Sequence, residues 1–404
     1  MKKILIVMNS FGLWGIEKAL ISLLNSIPEN KYDVYLMLLE NRLQLKGIPK
    51  YVKLLKAPFS IKTDTTDWLR SIVKCEAKRG KWINVTILFF WYLSFILFHN
   101  SKILKNFLLK KETLDFDYVF NFWYPSLINS IISEDLCICK KKYIRLHFDI
   151  LSSLRDWSNN FIFRIKKLIL KYRHRSIFKY DLIFCVSNEM RRKIESFYKS
   201  EYQNKKLKTL YNIIDKNKII KLWEWKWFVD NFDWIRILSV WRLLYLKWFD
   251  IACNVCKWLV DKWYHIRWYI IGNGKEKDNL LELIKKNNLE NYFILLWGIE
   301  NPYPYFKWCD IYVQPSRSEA FCLALAEAKI FNKPIVTTKF PWASEQIKDG
   351  KTWLLVDVNV KNIENALESL IIDEDLRKIL SNNLREEKND KILNSSFSDL
   401  EQFL

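Results

Sequence analysis

Two glutamates stand eight residues apart in the run Ser318-Glu319-Ala320-Phe321-Cys322-Leu323-Ala324-Leu325-Ala326-Glu327-Ala328. The apolar run before them, Asp310-Ile311-Tyr312-Val313-Gln314-Pro315, reads as a strand, and the Ala/Leu-rich segment around the second glutamate reads as a helix. A strand, a short loop bearing a carboxylate and a helix opening on backbone N–H groups place an anion site beside an acid. With the helix opening near Phe321, Glu327 lies about 9 Å along its axis at ~1.5 Å per residue. That separation suits a ligand with two polar ends, such as the sugar and ribose of a sugar nucleotide. The same pair also reads as two surface carboxylates on a helix.

The elements that must position this pair form an alternating pattern. Residues 2–8 are a hydrophobic strand, followed by the loop Phe11-Gly12-Leu13-Trp14-Gly15 and a helix with apolar residues at Ile16, Ala19, Leu20, Leu23 and Leu24. The next strand is expected at 32–38, and later ones at 118–120, 142–146 and 182–186. A second series starts near residue 234, with strands at 235–240, 268–271, 293–296, 311–313, 334–337 and 354–356 and a helix over 249–259. Strand–loop–helix–strand units imply parallel sheets. The expected organisation is an amino-terminal domain over 1–205, a connector over 206–233, a second α/β domain over 234–385 and a helical tail over 386–404. Two such domains facing one another put a cleft at the carboxyl ends of both sheets.

Composition narrows the partners. The chain has 404 residues, enough for about two domains, and a net charge of +20 from 65 basic and 45 acidic residues. Such a balance favours an anionic partner: nucleic acid, an anionic membrane surface or a phosphorylated substrate. The stretch Ile83 to Phe98 carries no charge but is short of the ~20 residues that span a bilayer. A buried or interfacial helix fits it better, and membrane-surface contact and core packing are both open. Cys253-x-x-Cys256 has metal-type spacing without a second pair, and its amphipathic helical setting reads as core thiols. Scattered cysteines and a buried first strand in place of a signal segment point to a reducing, cytoplasmic setting.

Glycine and tryptophan counts are unusual. There are 8 Gly and 19 Trp, against ~28 Gly expected for this length. Tryptophans stand where a turn is wanted, in Leu13-Trp14-Gly15, Val240-Trp241-Arg242, Lys247-Trp248-Phe249, Pro341-Trp342-Ala343 and Thr352-Trp353-Leu354. Glycine reaches φ > 0 and lets a ligand approach the backbone, and an indole does neither. Some bacterial lineages read UGA as glycine, and such a gene translated with UGA as tryptophan has this pattern. The alternative is a tryptophan-rich chain with indoles in its core or at a membrane.

These motifs, in this order, resemble glycosyltransferase family 4, the retaining nucleotide-sugar enzymes of the α/β GT-B fold, over nearly the whole chain. Leu13 to Leu20 is similar to the family's glycine-pair loop, with Trp14 in the first glycine's place. Val240-Trp241-Arg242-Leu243 and Lys247-Trp248-Phe249-Asp250 resemble its Gly-Arg-Leu and Lys-Gly pair, and Glu319 to Glu327 its two-glutamate signature. Pro341 to Glu345 and Asp349 to Val356 resemble its closing motifs, while Ala320 replaces a usual glycine.

The resemblance implies roles. Arg242 and Lys247 would bind the donor diphosphate and stabilise the departing nucleotide, and Glu319 would hold the sugar hydroxyls. Glu327 would accept hydrogen bonds from the ribose, and backbone amides of Phe321, Cys322 and Leu323 would bind sugar or phosphate. Trp14 and Gly15 would lie against the diphosphate, and Gly298 to Glu300 near the base. His147 resembles the histidine that touches the donor sugar, and Asp149 would face the acceptor. No Asp-x-Asp motif stands in a catalytic context, so neither a metal nor a separate cofactor is expected. The expected partners are a nucleotide-sugar donor, a lipid-linked or surface-polysaccharide acceptor and an anionic membrane surface, with the protein peripheral on its inner face. The rival readings are a nucleotide-sugar epimerase on the same fold, a basic nucleic-acid-binding protein without an aromatic RNA-binding signature, and an inactive scaffold if the tryptophans at glycine sites are genuine.

Overall fold

The computed structural model describes residues 1–8, 14–38, 47–56, 114–122, 137–147, 175–198, 207–224, 228, 230, 232–240, 242–243, 249–317, 319, 321–340, 343–346, 348–387 and 390–404. They form two compact units: one comprises Met1–Val186, Arg191–Tyr211 and Ser396–Leu404, the other Ser187–Met190 and Asn212–Ser395.

The first unit is built on a parallel sheet of seven strands in the order β3-β2-β1-β4-β5-β6-β7. The strands are β1 (Lys2–Met8), β2 (Tyr32–Leu38), β3 (Lys53–Lys56), β4 (Leu114–Asn121), β5 (Cys137–Leu146), β6 (Leu182–Cys185) and β7 (Leu207–Thr209). β1 lies mid-sheet, and Ile4 to Met8 are fully buried, as a strand covered on both faces requires. Helix α1 (Trp14–Ser26) buries Ile16, Ala19, Leu20, Leu23 and Leu24, the apolar stripe of its 3.6-residue period. β5 is solvent-facing over its lysines, Lys140 to Lys142, and buried from Tyr143 to Leu146, so its carboxyl end is set in the core. Residues 396–404 also belong to this unit: Lys31 and the Tyr32 hydroxyl reach Glu401 Oε1 at 3.1 and 3.2 Å, and the Phe403 ring packs edge-on to Phe184.

The second unit carries six parallel strands in the order β10-β9-β8-β11-β12-β13. These are β8 (Ile235–Val240), β9 (Ile266–Ile271), β10 (Phe293–Leu296), β11 (Ile311–Gln314), β12 (Ile335–Thr338) and β13 (Leu354–Val356). Further helices, in chain order, are α2 (Asn188–Phe197), most of it in the first unit, α3 (Lys216–Lys221), α4 (Phe249–Asp261), α5 (Lys277–Lys286), α6 (Tyr303–Trp308), α7 (Leu323–Ile330), α8 (Ala343–Gln346), α9 (Val360–Ile372), α10 (Glu374–Glu386) and, in the first unit, α11 (Ser398–Glu401). The core joins Ile237, Trp268, Ile311, Val313 and Val336 of the sheet to Leu259 of α4 and Leu367 and Leu370 of α9. Cys253 and Cys256 both point into this core from α4. Asn359 and Asp373 cap α9 and α10 by accepting the Asn362 and Leu376 N–H groups, each at 2.8 Å.

Both sheets reverse their strand order once, between β1 and β4 and between β8 and β11. In open parallel sheets the carboxyl ends beside such a reversal leave a crevice that binds ligands. No helix among the described residues is long and apolar enough to cross a membrane. The uncharged stretch over 83–98 lies outside the described residues.

Candidate active site

The chain places Arg242 and Glu319 at one end of the second sheet. β8 pairs directly with β11, with Ile237 opposite Ile311 and Leu238 opposite Tyr312. Arg242 follows the carboxyl end of β8, and Glu319 follows that of β11, so both emerge beside the strand-order reversal. Arg242 is half-buried, and burial lowers its pKa while the Glu319 carboxylate pulls the other way. The two groups therefore feel each other's charge. The loop carrying Arg242 is braced by the loop after β9. Leu243 N–H donates to the Asn273 carbonyl at 3.0 Å, and Glu276 N–H donates to the Leu243 carbonyl at 3.2 Å. A Cβ on Gly274 would stand 2.1 Å from the Leu243 carbonyl oxygen, so only glycine permits this approach.

Glu319 is 6% exposed and accepts a hydrogen bond from Ser316 Oγ at 2.6 Å. Helix α7 opens at Leu323, two residues later than the sequence expectation, so Glu327 stands ~6 Å along the axis from the first helical residue. Cys322 is the N-cap, in the left-handed region at φ +57°, and its side chain makes no capping hydrogen bond. The Leu325 N–H donates back to the Cys322 carbonyl at 3.1 Å, and with no side-chain cap the start of the helix suits an anion. The turn before the helix is pinned by Gln346, whose Nε2 donates to the Phe321 carbonyl at 2.8 Å, and Phe321 is buried. Glu327 is also buried and accepts from the Tyr303 hydroxyl at 3.2 Å. Gly298, in the loop after β10, has φ +45°, and a Cβ built there meets no described atom within 4 Å.

The second sheet thus gathers a cation, two buried carboxylates and an uncapped helix start. Cations there can hold phosphates, and ionised carboxylates can accept from sugar hydroxyls. Lys247 lies outside the described residues, as do Trp241, Trp248, Trp342, Ser318 and Ala320.

In the first unit, Gly15 is exposed near the start of α1, with no described atom within 4 Å of a Cβ built on it. The loop over 9–13 and Asp149 are outside the described residues, and Trp14 is described only as the first residue of α1. His147 follows β5 and is 7% exposed, its ring 4.5 Å from that of Phe122. Its Nε2 is buried with no hydrogen-bond partner among the described residues. Burial, and then the nearby Arg145 charge, hold its pKa well below the ordinary histidine value, so the imidazole is neutral. A neutral imidazole can donate through one nitrogen and accept through the other. Arg145 is itself buried, its guanidinium donating to the carbonyls of Leu210 and Tyr211 at 3.1 and 2.9 Å.

Sequence reasoning did not find Tyr303, Ser316 or the polar residues behind Ser316. A signal for the latter exists: Tyr312, Gln314 and Ser316 put polar atoms at every second position of a wholly buried strand and its extension.

Residues 227–387 match the family model "Glycosyl transferases group 1". An uncharacterized glycosyltransferase of Methanocaldococcus jannaschii is 30% identical over 262 residues, 55% of this chain and 63% of the relative. The Campylobacter jejuni N-acetylgalactosamine-N,N'-diacetylbacillosaminyl-diphospho-undecaprenol 4-alpha-N-acetylgalactosaminyltransferase is 36% identical over 115 residues, 28% of this chain and 32% of the relative. The chain thus spans under two thirds of the length of these curated relatives. The crystal structure of Anabaena HepE in complex with UDP and glucose superposes with a TM-score of 0.68 at 15% identity, covering 100% of both chains. With two all-parallel, Rossmann-like units and this likeness, the chain has the α/β GT-B fold.

Proposed function

We propose that this chain is a retaining glycosyltransferase of the family 4 type, moving a sugar from a nucleotide-diphosphate donor to an acceptor hydroxyl. The observation that carries the reading is the emergence of Arg242 and Glu319 from the neighbouring strands β8 and β11, beside the start of α7. In this reading Arg242, with Lys247, holds the diphosphate where negative charge grows. Glu319 holds the sugar hydroxyls, and Glu327 the ribose. His147, as a neutral imidazole, hydrogen-bonds the donor sugar. The bond from the anomeric carbon to the phosphate oxygen breaks as the bond to the acceptor oxygen forms on the same face. The departing phosphate takes the acceptor's proton, and Arg242 and Lys247 stabilise its charge. The Campylobacter relative's name contains diphospho-undecaprenol, which favours a lipid-linked or surface-polysaccharide acceptor. A net charge of +20 favours action at the cytoplasmic face of an anionic membrane.

The reading includes glycine, in place of tryptophan, at Trp14, Trp241, Trp248, Trp342 and Trp353 of the native chain. Backbone geometry elsewhere supports it. After α4, the Trp263 N–H donates to the Val260 carbonyl at 2.9 Å and the Tyr264 N–H to the Leu259 carbonyl at 3.2 Å. These two bonds are a Schellman motif, whose left-handed residue is usually glycine. Trp263 fills it at φ +64° and is 89% exposed. The same pair of bonds ends α5 at Asn288 and α7 at Asn332, residues that tolerate this conformation. Trp353 is fully buried, and its indole nitrogen has no hydrogen-bond partner among the described residues. Trp268, by contrast, donates from its buried indole to Ser239 Oγ at 3.0 Å and suits its place.

The test begins with the coding DNA, where UGG at these positions would remove the glycine reading. The full chain with glycine restored is then screened for thermal stabilisation by UDP-glucose, UDP-galactose, UDP-N-acetylglucosamine and GDP-mannose. A bound donor raises the melting temperature. No shift with any of the four, and no donor-dependent glycosylation of a lipid-linked acceptor, would count against the proposed activity.

A further inference from the structure

Behind Glu319 runs a buried chain of hydrogen bonds that no part of the proposed reaction has yet used. The Tyr312 hydroxyl donates to Gln314 Oε1 at 2.6 Å, Gln314 Nε2 donates to Ser316 Oγ at 3.0 Å, and Ser316 Oγ donates to Glu319 Oε1 at 2.6 Å. Tyr312 and Ser316 are 0% exposed and Gln314 is 1% exposed. Residues 312, 314 and 316 share one face because side chains alternate along an extended strand. The chain therefore runs parallel to β11 toward its carboxyl end and stops at the carboxylate.

Its direction is determined by chemistry. An ionised carboxylate only accepts hydrogen bonds, so Ser316, with one hydroxyl hydrogen, spends it on Glu319. Ser316 must then accept from its other neighbour, which orients the Gln314 amide with nitrogen toward Ser316 and oxygen toward Tyr312. Tyr312 closes the series as a donor. Burial holds its phenol well above the ordinary value, so it keeps its proton. The backbone is pinned in the same way. Ser316 N–H donates to Thr338 Oγ1 at 3.0 Å, Thr338 Oγ1 donates to the Ser316 carbonyl at 2.5 Å, and Thr337 Oγ1 donates to the Gln314 carbonyl at 3.0 Å. A core strand gains no packing from three linked polar groups that an apolar series would not supply. Their shared end point is Glu319.

We propose that Tyr312, Gln314 and Ser316 are positioning residues, a one-directional hydrogen-bond relay that fixes the rotamer of Glu319 toward the sugar of the donor. This inference rests on the glycosyl-transfer reading above. The relay governs the sugar end of the donor and leaves the nucleotide end to Arg242 and Glu327.

The test is a double-mutant cycle on the full chain with Tyr312→Phe and Ser316→Ala, using the best-stabilising nucleotide sugar of the panel and the matching nucleoside diphosphate alone. Ser316→Ala should lower kcat on the order of tenfold, because a misplaced reacting group costs rate steeply, with nucleoside diphosphate affinity unchanged. Tyr312→Phe should lower kcat several-fold in the parent (about 1 kcal/mol for one hydrogen bond) and have no further effect in the Ser316→Ala background. A purely structural tyrosine would act equally in both. Gln314→Glu, which makes residue 314 accept from both hydroxyls and turns the Ser316 proton away from Glu319, should reproduce the Ser316→Ala loss. Additive effects, or parent-like kcat in Ser316→Ala, overturn the relay while leaving glycosyl transfer standing. A parent chain that binds no nucleotide sugar overturns both.

Discussion

The Tyr303 hydroxyl donates to Glu327 Oε1 at 3.2 Å, joining the start of α6 to the middle of α7 through two buried side chains. α6 follows the loop that contains Gly298, so this bond couples the carboxylate assigned to the ribose to the loop assigned to the base. Tyr303→Phe should weaken nucleoside diphosphate binding about five- to tenfold, the value of one hydrogen bond of ~1 kcal/mol, and change kcat little. Titration calorimetry with the nucleoside diphosphate checks it, and unchanged affinity would remove Tyr303 from the site.

His147 makes the stability of the chain depend on pH. Its folded pKa lies well below the ordinary ~6.5, through burial first and the Arg145 charge second. Below pH ~6.5 the unfolded chain takes up a proton that the folded chain refuses, so stability falls as pH falls from about 6.5 toward the folded pKa and is flat above it. Denaturant unfolding between pH 7 and 5 should show this slope, and His147→Asn should flatten it. A variant with the parent's slope would mean that His147 is not the group responsible.

Lys329 is buried on α7 between Glu387 and Asp390. Its ammonium pairs with Asp390, lies 3.8 Å from Glu387 and donates to the Gln346 carbonyl at 3.1 Å. Lys329→Ala would take the cation from Asp390, whose side chain is 7% exposed, while leaving it the Ile392 and Leu393 N–H groups, and should cost about 1–3 kcal/mol. The denaturant midpoint measures this, and a loss below ~1 kcal/mol would show that the segment around 387–390 rearranges to rehydrate its acids.

Trp263→Gly should stabilise the chain by about 1 kcal/mol, since it removes a Cβ from a left-handed residue while losing little burial. Asn288→Gly, at the matching position after α5, should gain less, because asparagine already tolerates this region. Equal gains at both would contradict the glycine reading of Trp263.

Much of the fold was legible before any coordinates. The strands that became β1, β2, β8, β9, β10 and β11 are apolar and β-rich, and their order with the intervening helices implied parallel sheets. Arg242 and Glu319 follow the carboxyl ends of β8 and β11, where their motifs in the sequence put them, and Glu327 lies on α7. β3, with Lys53 and Lys56 at its ends, and β7, only Leu207 to Thr209, are edge strands too short to hold a period. Nothing in the sequence marks Lys329, because its acidic partners lie some sixty residues further along the chain. Trp263 lies in no motif, and only the bonds that close α4 mark it as a glycine position.

The most direct test is calorimetric titration of the glycine-restored full chain with each nucleotide sugar of the panel and its nucleoside diphosphate, alongside Arg242→Ala and Glu319→Gln. The account predicts one preferred donor. Arg242→Ala should weaken the nucleoside diphosphate itself roughly ten- to a hundredfold, the value of a charged hydrogen bond. Glu319→Gln should keep that affinity and lose only the increment contributed by the sugar. Equal binding by all three proteins, or no donor bound by any, would contradict it.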